Sequence, residues 1–288
     1  MNISESATAR HHRTVWWKEA LIIGTFYSLY TVIRNQFGSQ LVNGVDIPLH
    51  AFTNAMRVIR FERFIGLYHE ESLQDIFLPH LWLIKTMNTY YGTAHFFVTM
   101  AVFIVLFRKR PDVFPQWRNT LAAMTALAII GFILFPLMPP RLLDAPCPSV
   151  GRSDYGGACI ESPLRNLNDA TNFGFVDTVS TLGGPWAFNK GPGATLSNQY
   201  AAMPSLHIGW STWCAFALWP LARKRWMRAA LLIYPAITLF CIIVTGNHFW
   251  LDGIGGLVVF VTGFAIGTKV HRYNHRRLDR QTATHLAV

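Results

Sequence analysis

Apolar residues run along this chain in six blocks, at 15–33, 90–107, 117–137, 206–221, 226–244 and 250–270. Each comes close to the roughly 20 residues that a helix needs to cross a hydrocarbon core. The pattern predicts an all-α integral membrane protein, with about six transmembrane helices bundled in one membrane domain at residues 15–270. Polar tails flank it at 1–14 and 271–288. The first block opens on Trp16, Trp17 and Lys18, side chains suited to the membrane interface. It ends at Arg34 without a small-residue cleavage pattern, so it is expected to remain attached as a span rather than be removed as a signal peptide.

Two long polar connections interrupt the blocks, at 35–88 and 138–205. In the first, residues 51–71 carry apolar positions at helical spacing with Arg57, Arg60, Glu62 and Arg63 between them. That periodicity predicts an amphipathic helix that either lies on the bilayer surface or covers the bundle. The second is rich in turn formers, including Gly183-Gly184-Pro185 and Gly191-Pro192-Gly193. Turns and short pieces are expected there, in a loop long enough to be functional. Trp186 and Phe188 within it are candidates to shape an acceptor pocket or to anchor the loop at the interface.

Composition agrees with lipid as the solvent. The chain is 51% hydrophobic and 14% charged, against about 25% charged residues in soluble proteins. Its net charge of +10 does not mark a nucleic-acid partner, because the basic residues form short clusters between apolar blocks. Arg108-Lys109-Arg110 with Arg118, Arg223-Lys224-Arg225 with Arg228, and Lys269, Arg272, Arg276 and Arg277 all share one side with the basic N-terminus if both termini are cytoplasmic. Both long connections then face the opposite side. Of the four cysteines, Cys214 and Cys241 sit inside apolar blocks as packing residues, whereas Cys147 and Cys159 are placed to staple the second loop in an oxidising compartment.

That topology collects ionisable residues at one face. Arg141 follows the third block in Pro139-Pro140-Arg141, His207 opens the fourth in Pro204-Ser205-Leu206-His207, and His248 and Asp252 join the fifth to the sixth in Asn247-His248-Phe249-Trp250-Leu251-Asp252. On a shared helix the i, i+4 spacing of His248 and Asp252 lets the carboxylate accept a proton from one ring nitrogen and leaves the other basic. Such a histidine is a nucleophile toward phosphorus, with the aspartate fixing its tautomer. His207 then serves as general acid to the departing oxygen and general base to the acceptor, while the Arg141 fork holds phosphate oxygens. Ser205, Asn247, His95 and Tyr90 are further candidates for phosphate binding, with structural hydrogen bonds as the plain alternative for His95, Tyr90 and Asn88. The chemistry calls for no metal and no cofactor.

Pro-Ser-Leu-His, followed about forty residues later by Asn-His-x-x-x-Asp after a Pro-Pro-Arg segment, resembles the type-2 phosphatidic-acid phosphatase superfamily. The branch with inositol phosphorylceramide synthases and sphingomyelin synthases looks nearest. The resemblance covers about residues 88–270. It implies a six-helix membrane core, a phosphohistidine at His248, support from Asp252, acid-base work by His207 and a phospholipid substrate, with a plasma-membrane site facing away from the cytoplasm. The phosphatase branch carries a Ser-Arg pair where this chain has Cys241 and Ile242, and its lysine-containing motif is missing. Thr245-Gly246-Asn247-His248 fits the synthase-like branch better.

Three functions stay open on this reading: a lipid head-group phosphotransferase, a lipid phosphate phosphatase and, more distantly, a haem-binding membrane protein using His95, His207 and His248. A transporter would place ionisable residues at mid-span or break helices in matching halves, and these charges gather at one interface instead.

Overall fold

The computed structural model describes residues 15–36, 47–143, 175–182 and 199–286. Cys147, Cys159, Trp186 and Phe188 lie outside them. The described residues are helical with no β-strand, apart from an isolated bridge between Leu137 and Ala201. The helices are α1 (Trp16–Gln36), α2 (Ile47–Phe64), α3 (Glu70–Phe77), α4 (Leu81–Lys109), α5 (Phe114–Leu134), the short α6 (Thr178–Thr181), α7 (Leu206–Leu218), α8 (Arg225–Val244) and α9 (Trp250–Leu286). Single 3-10 turns follow α5 and α7, at Pro140–Leu143 and Trp219–Leu221.

Among the described residues, four helices are long and apolar enough to cross a membrane: α4, α5, α8 and the Trp250–Arg277 part of α9. The count is lower than the six blocks suggest, for reasons visible in the other two. α1 is long enough, but Lys18 and Glu19 in its first turn dilute its apolar content. α7 has only 13 residues, about 20 Å of helix at 1.5 Å per residue, and is surrounded by protein. Its residues from Ile208 to Ala215 are all buried, packed between α4, α8 and α9. The spanning helices instead show apolar side chains outward, such as Phe97 and Met100 on α4, Leu134 on α5 and Val261 on α9. Helices suit that environment because their backbone groups are satisfied internally.

Close approach of α9 to its neighbours depends on small residues. A Cβ on Gly263 or Gly267 would meet the α5 backbone at Met124 or Thr120 within 3.0 Å, and one on Gly256 would lie 2.4 Å from the Ser205 carbonyl of the turn that opens α7. α5 and α7 therefore seat directly on α9. At the end carrying the basic clusters, Trp213 buries its ring and donates to the Trp117 carbonyl at 2.9 Å. Arg118 pairs with Glu19 there, joining α1 to α5.

The opposite end is roofed by α2 and α3. Ala51, Phe52, Ala55, Met56, Val58 and Ile59 bury one face of α2 against Leu137, Met138, Leu143 and Phe249. Arg57, Arg60, Phe61 and Phe64 lie on its exposed face. The single helix expected over 51–71 breaks after Phe64, where Gly66 turns the chain with φ +71°, and α2 and α3 cover the bundle as two pieces. Asn54 and Glu62 are the exceptions to the polar-out pattern: both are buried, Glu62 fully.

Candidate active site

The site is assembled where α7, α8 and α9 meet the roof. α8 ends at Val244, and Gly246 turns the chain with φ +67°, a conformation that glycine adopts at no steric cost. Here it also leaves room, since a Cβ would stand 3.1 Å from Gln74 Nε2 and 3.3 Å from Arg141 Cβ. Gln74 of α3 is fully buried. Its Nε2 donates to the carbonyls of Val176 and Val244 at 3.1 and 3.3 Å, and its Oε1 accepts from Val176 N–H at 2.8 Å. The turn is thereby tied to the roof.

His248 comes next and precedes α9, which begins at Trp250. The pairing with Asp252 therefore does not arise from a shared helical face. It forms across a helix N-terminus: Asp252, in the first turn of α9, accepts from Phe249 N–H at 3.0 Å and lies 3.1 Å from His248 Nδ1, both through Oδ2. Carboxylates in a first helical turn are favoured by the exposed N–H groups and the helix dipole. Both residues are buried. With Nδ1–H donating to Asp252, Nε2 carries the lone pair, and it sits 3.5 Å from Ser205 Oγ. Ser205 N–H in turn donates to the Asp252 carbonyl at 2.9 Å, joining the start of α7 to that of α9.

His207 faces His248 with ring centroids 5.6 Å apart, and Tyr91 stacks on His207 at 4.3 Å. The His95 ring is 4.6 Å from that of His207. Arg141 donates from its backbone to the Gly246 carbonyl at 2.7 Å and from its guanidinium to Asp177 at 2.9 Å and Gln199 at 3.3 Å. Its Nε has no hydrogen-bond partner among the described residues.

A cavity of about 380 Å³ opens onto these groups. One end is polar, lined by Arg141, Gln199, His207, Asn247 and His248, and the rest is aromatic, lined by Tyr27 and Tyr30 of α1, Phe96 of α4 and Phe132 of α5. The arrangement suits an amphipathic phosphate ester, with its anionic group at the histidines and its apolar part among the rings. His95 lines the same cavity.

Two expected phosphate ligands take other roles. Tyr90 lies outside the cavity lining, since its hydroxyl bonds Thr238 of α8 at 2.9 Å, and its neighbour Tyr91 takes the place beside the histidines. Asn247 lines the cavity, but its side-chain amide donates to Thr245 Oγ1 at 2.8 Å, so its first task is to shape the turn. Asn88 is structural, bonded to Thr178 at 2.8 and 3.0 Å. Sequence pattern missed Glu62, Glu70 and Gln74, three polar side chains that are fully buried. Gln74, three residues before the apolar end of a short helix, carries no pattern that marks it as buried.

The sequence model of one protein family, the PAP2 superfamily, matches residues 56–266. The match runs from the roof to the last span and includes every residue of the polar end of the cavity, while α1 lies outside it. No curated protein and no solved structure matches the chain.

Proposed function

From the premise that the chain belongs to the PAP2 superfamily, and so to membrane phosphatases and phosphotransferases acting on lipid-like substrates, we propose that it transfers a phosphate-bearing head group from a lipid donor to an alcohol acceptor. The observation that carries this reading is the orientation of His248. Asp252 occupies Nδ1, and Nε2 is left at the polar end of the cavity, opposite His207.

The reaction divides into two displacements. Nε2 of His248 attacks phosphorus, the N–P bond forms, and the bond to the leaving oxygen breaks as that oxygen takes a proton from His207. Asp252 offsets the positive charge on the phosphorylated imidazole. In the second displacement the acceptor hydroxyl gives its proton to His207, its oxygen attacks phosphorus, and the N–P bond breaks. Arg141, held flat by Asp177 and Gln199, offers its remaining N–H groups to the phosphate oxygens through both steps.

Ile242 favours transfer over a phosphatase-like reaction. It occupies the place of the phosphatase branch's arginine, and it is fully buried among Ile208 and Ile243. Among the described residues, the cavity lining thus has one arginine where that branch has a second. Hydrolysis is the second reading, with water in the acceptor's place, and the polar lining by Gln199 and Asn247 supports it. Synthase-like transfer of an inositol phosphate head group is the finer form of the first reading.

The helix directions favour a site on the non-cytoplasmic face with both termini inside, and the plasma membrane is the location proposed for it. The basic clusters at the end of α4, the start of α8 and the far end of α9 all lie at the bundle end opposite His248.

The deciding experiment incubates purified wild type and His248→Ala with phospholipids and lipid alcohols, following lipids by mass spectrometry and free phosphate by colour. A new phospholipid made by wild type alone supports transfer. Phosphate alone supports hydrolysis. Equal traces from both proteins, where wild type acts, would remove His248 as the nucleophile.

A further inference from the structure

Three consecutive backbone N–H groups at the start of α9 are each taken by a carboxyl group. Phe249 N–H goes to Asp252 at 3.0 Å, Trp250 N–H to Glu70 Oε1 at 3.2 Å, and Leu251 N–H to Glu62 Oε1 at 2.8 Å. Glu62 comes from α2 and Glu70 from α3, and neither has any exposed surface. These are the orphan donors of a helix N-terminus, here satisfied by residues remote in sequence. The segment they fix is the one that presents His248.

The outer oxygens of the two glutamates are the informative atoms. Glu62 Oε2 and Glu70 Oε2 are buried, and among the described residues no donor reaches either. Their inner oxygens accept from two consecutive backbone amides, which sets the two carboxyl groups side by side. As two carboxylates they would set like charges together out of water, an arrangement that normally keeps one proton on the pair. Among the described residues, the nearby charges offer no relief. The charges acting on Glu62 are those of Glu70 and Asp252. Arg63 lies over the Tyr68 ring, Arg57 donates to Asn54, and Arg141 is paired with Asp177. A metal ion is no better a partner, since the described residues contain no group of three or more ligands arranged to hold one.

We infer that Glu62 and Glu70 share one proton between their outer oxygens and, as a single carboxyl–carboxylate unit, act as positioning residues for the turn that carries the His248 nucleophile. One proton satisfies both orphan oxygens, halves the negative charge beside Asp252, and leaves both inner oxygens as acceptors for Trp250 and Leu251. Burial, and then the hydrogen bond and charge of Glu70, push the Glu62 carboxyl up to about 10, which agrees with this state. The role in turnover rests on the phosphoryl-transfer reading above, whereas the role in holding the turn does not.

Amide substitution tests the shared proton directly. In Glu62→Gln or Glu70→Gln the new NH2 group replaces that proton and donates to the remaining carboxylate, so the unit survives. In the double variant two NH2 groups face each other and the unit is lost. Full-length protein in detergent is compared by hydrogen exchange of a peptide covering residues 247–254, with α4 peptides as the internal control, and by turnover of short-chain phosphatidic acid. Each single variant should keep wild-type protection and kcat within about threefold, while the double variant exchanges faster there and loses at least about tenfold in kcat with little change in KM. Glu62→Ala should expose the same peptide. The inference is overturned if the double variant matches the singles in both measurements, or if Glu62→Ala leaves exchange at 247–254 unchanged. Loss of global folding by the alanine variant alone would show as faster exchange in α4, and the glutamine series then decides. Wild type inactive on every phosphate ester would sink the phosphoryl-transfer reading, while the exchange measurement still decides whether the pair holds the turn.

Discussion

The backbone N–H of Arg141 donates to the carbonyl of Gly246 across 2.7 Å. Through this bond the cavity's only arginine among the described lining residues and the turn that presents His248 share one frame. A phosphate bound by the guanidinium is thereby held in register with Nε2, and transfer depends on that register because reacting atoms must meet at about 3–3.5 Å.

Substitutions in the His248–Asp252 pair should separate nucleophile from support. His248→Ala removes the attacking atom and should lower kcat by about 10⁶-fold, to the level of the blank. Asp252→Asn keeps the imidazole, and its amide oxygen can still accept from Phe249 N–H and Nδ1–H, but the negative charge that offsets the phosphorylated imidazole is lost. A loss of roughly 10²–10⁴-fold is expected. Wild-type rates in Asp252→Asn would take the pair out of the mechanism.

Arg141 should show two effects that lysine and alanine divide. Arg141→Ala breaks the buried ion pair with Asp177 from one side, at a cost of up to about 3–5 kcal/mol. Its melting temperature should fall along with activity. Arg141→Lys keeps a charge near Asp177 but loses the planar fork, so melting should move less while KM for the phosphate ester rises about tenfold or more. An unchanged KM in a folded Arg141→Lys protein would show that the guanidinium does not bind the phosphate.

The turn itself is testable at Gly246. Alanine there must adopt φ +67° and crowd Gln74 Nε2 at 3.1 Å, a strain of about 1–2 kcal/mol. The nearest relief is to shift the turn, which displaces Nε2. Gly246→Ala should therefore lose activity by up to about 10²-fold with only a small drop in melting temperature. A variant that is destabilised but retains full kcat would show that the placement of His248 tolerates movement of the turn.

Much of this site was legible because its chemistry is local in sequence. His207, His248 and Asp252 stand at the ends of apolar blocks, and helix direction alone carries those ends to one face. What stayed hidden depends on tertiary packing. α7 is apolar like a span, yet nine of its 13 residues are buried by neighbouring helices, and an all-round apolar helix looks alike whether lipid or protein surrounds it. Tyr90 and Tyr91 are adjacent, and which of them meets the histidines follows from a helix rotation of about 100° that α4, with apolar residues on every side, does not announce. Glu62 was unreadable for another reason. It lies among Arg57, Arg60 and Arg63 on a helix with a solvated face, and its partners, Leu251 N–H and Glu70, come from other helices.

That buried glutamate gives the protein a pH signature opposite to the usual carboxylate. Glu62 lies on the roof, outside the four spanning helices. Its carboxyl is raised from an ordinary 4.5 to about 10, first by burial and then by Glu70. Between those values the folded protein keeps a proton that the unfolded chain has released, so stability falls as pH rises through the window. The contribution is complete below about 4.5 and gone above about 10. Melting temperatures of wild type should thus decline from pH 5 toward pH 10, apart from the effects of other groups, and Glu62→Gln, which has no proton to lose, should show a shallower decline. Its difference from wild type therefore grows in the variant's favour toward alkaline pH. Parallel melting curves for the two proteins across that range would mean that Glu62 titrates alike in both states and that its proton does not belong to the fold.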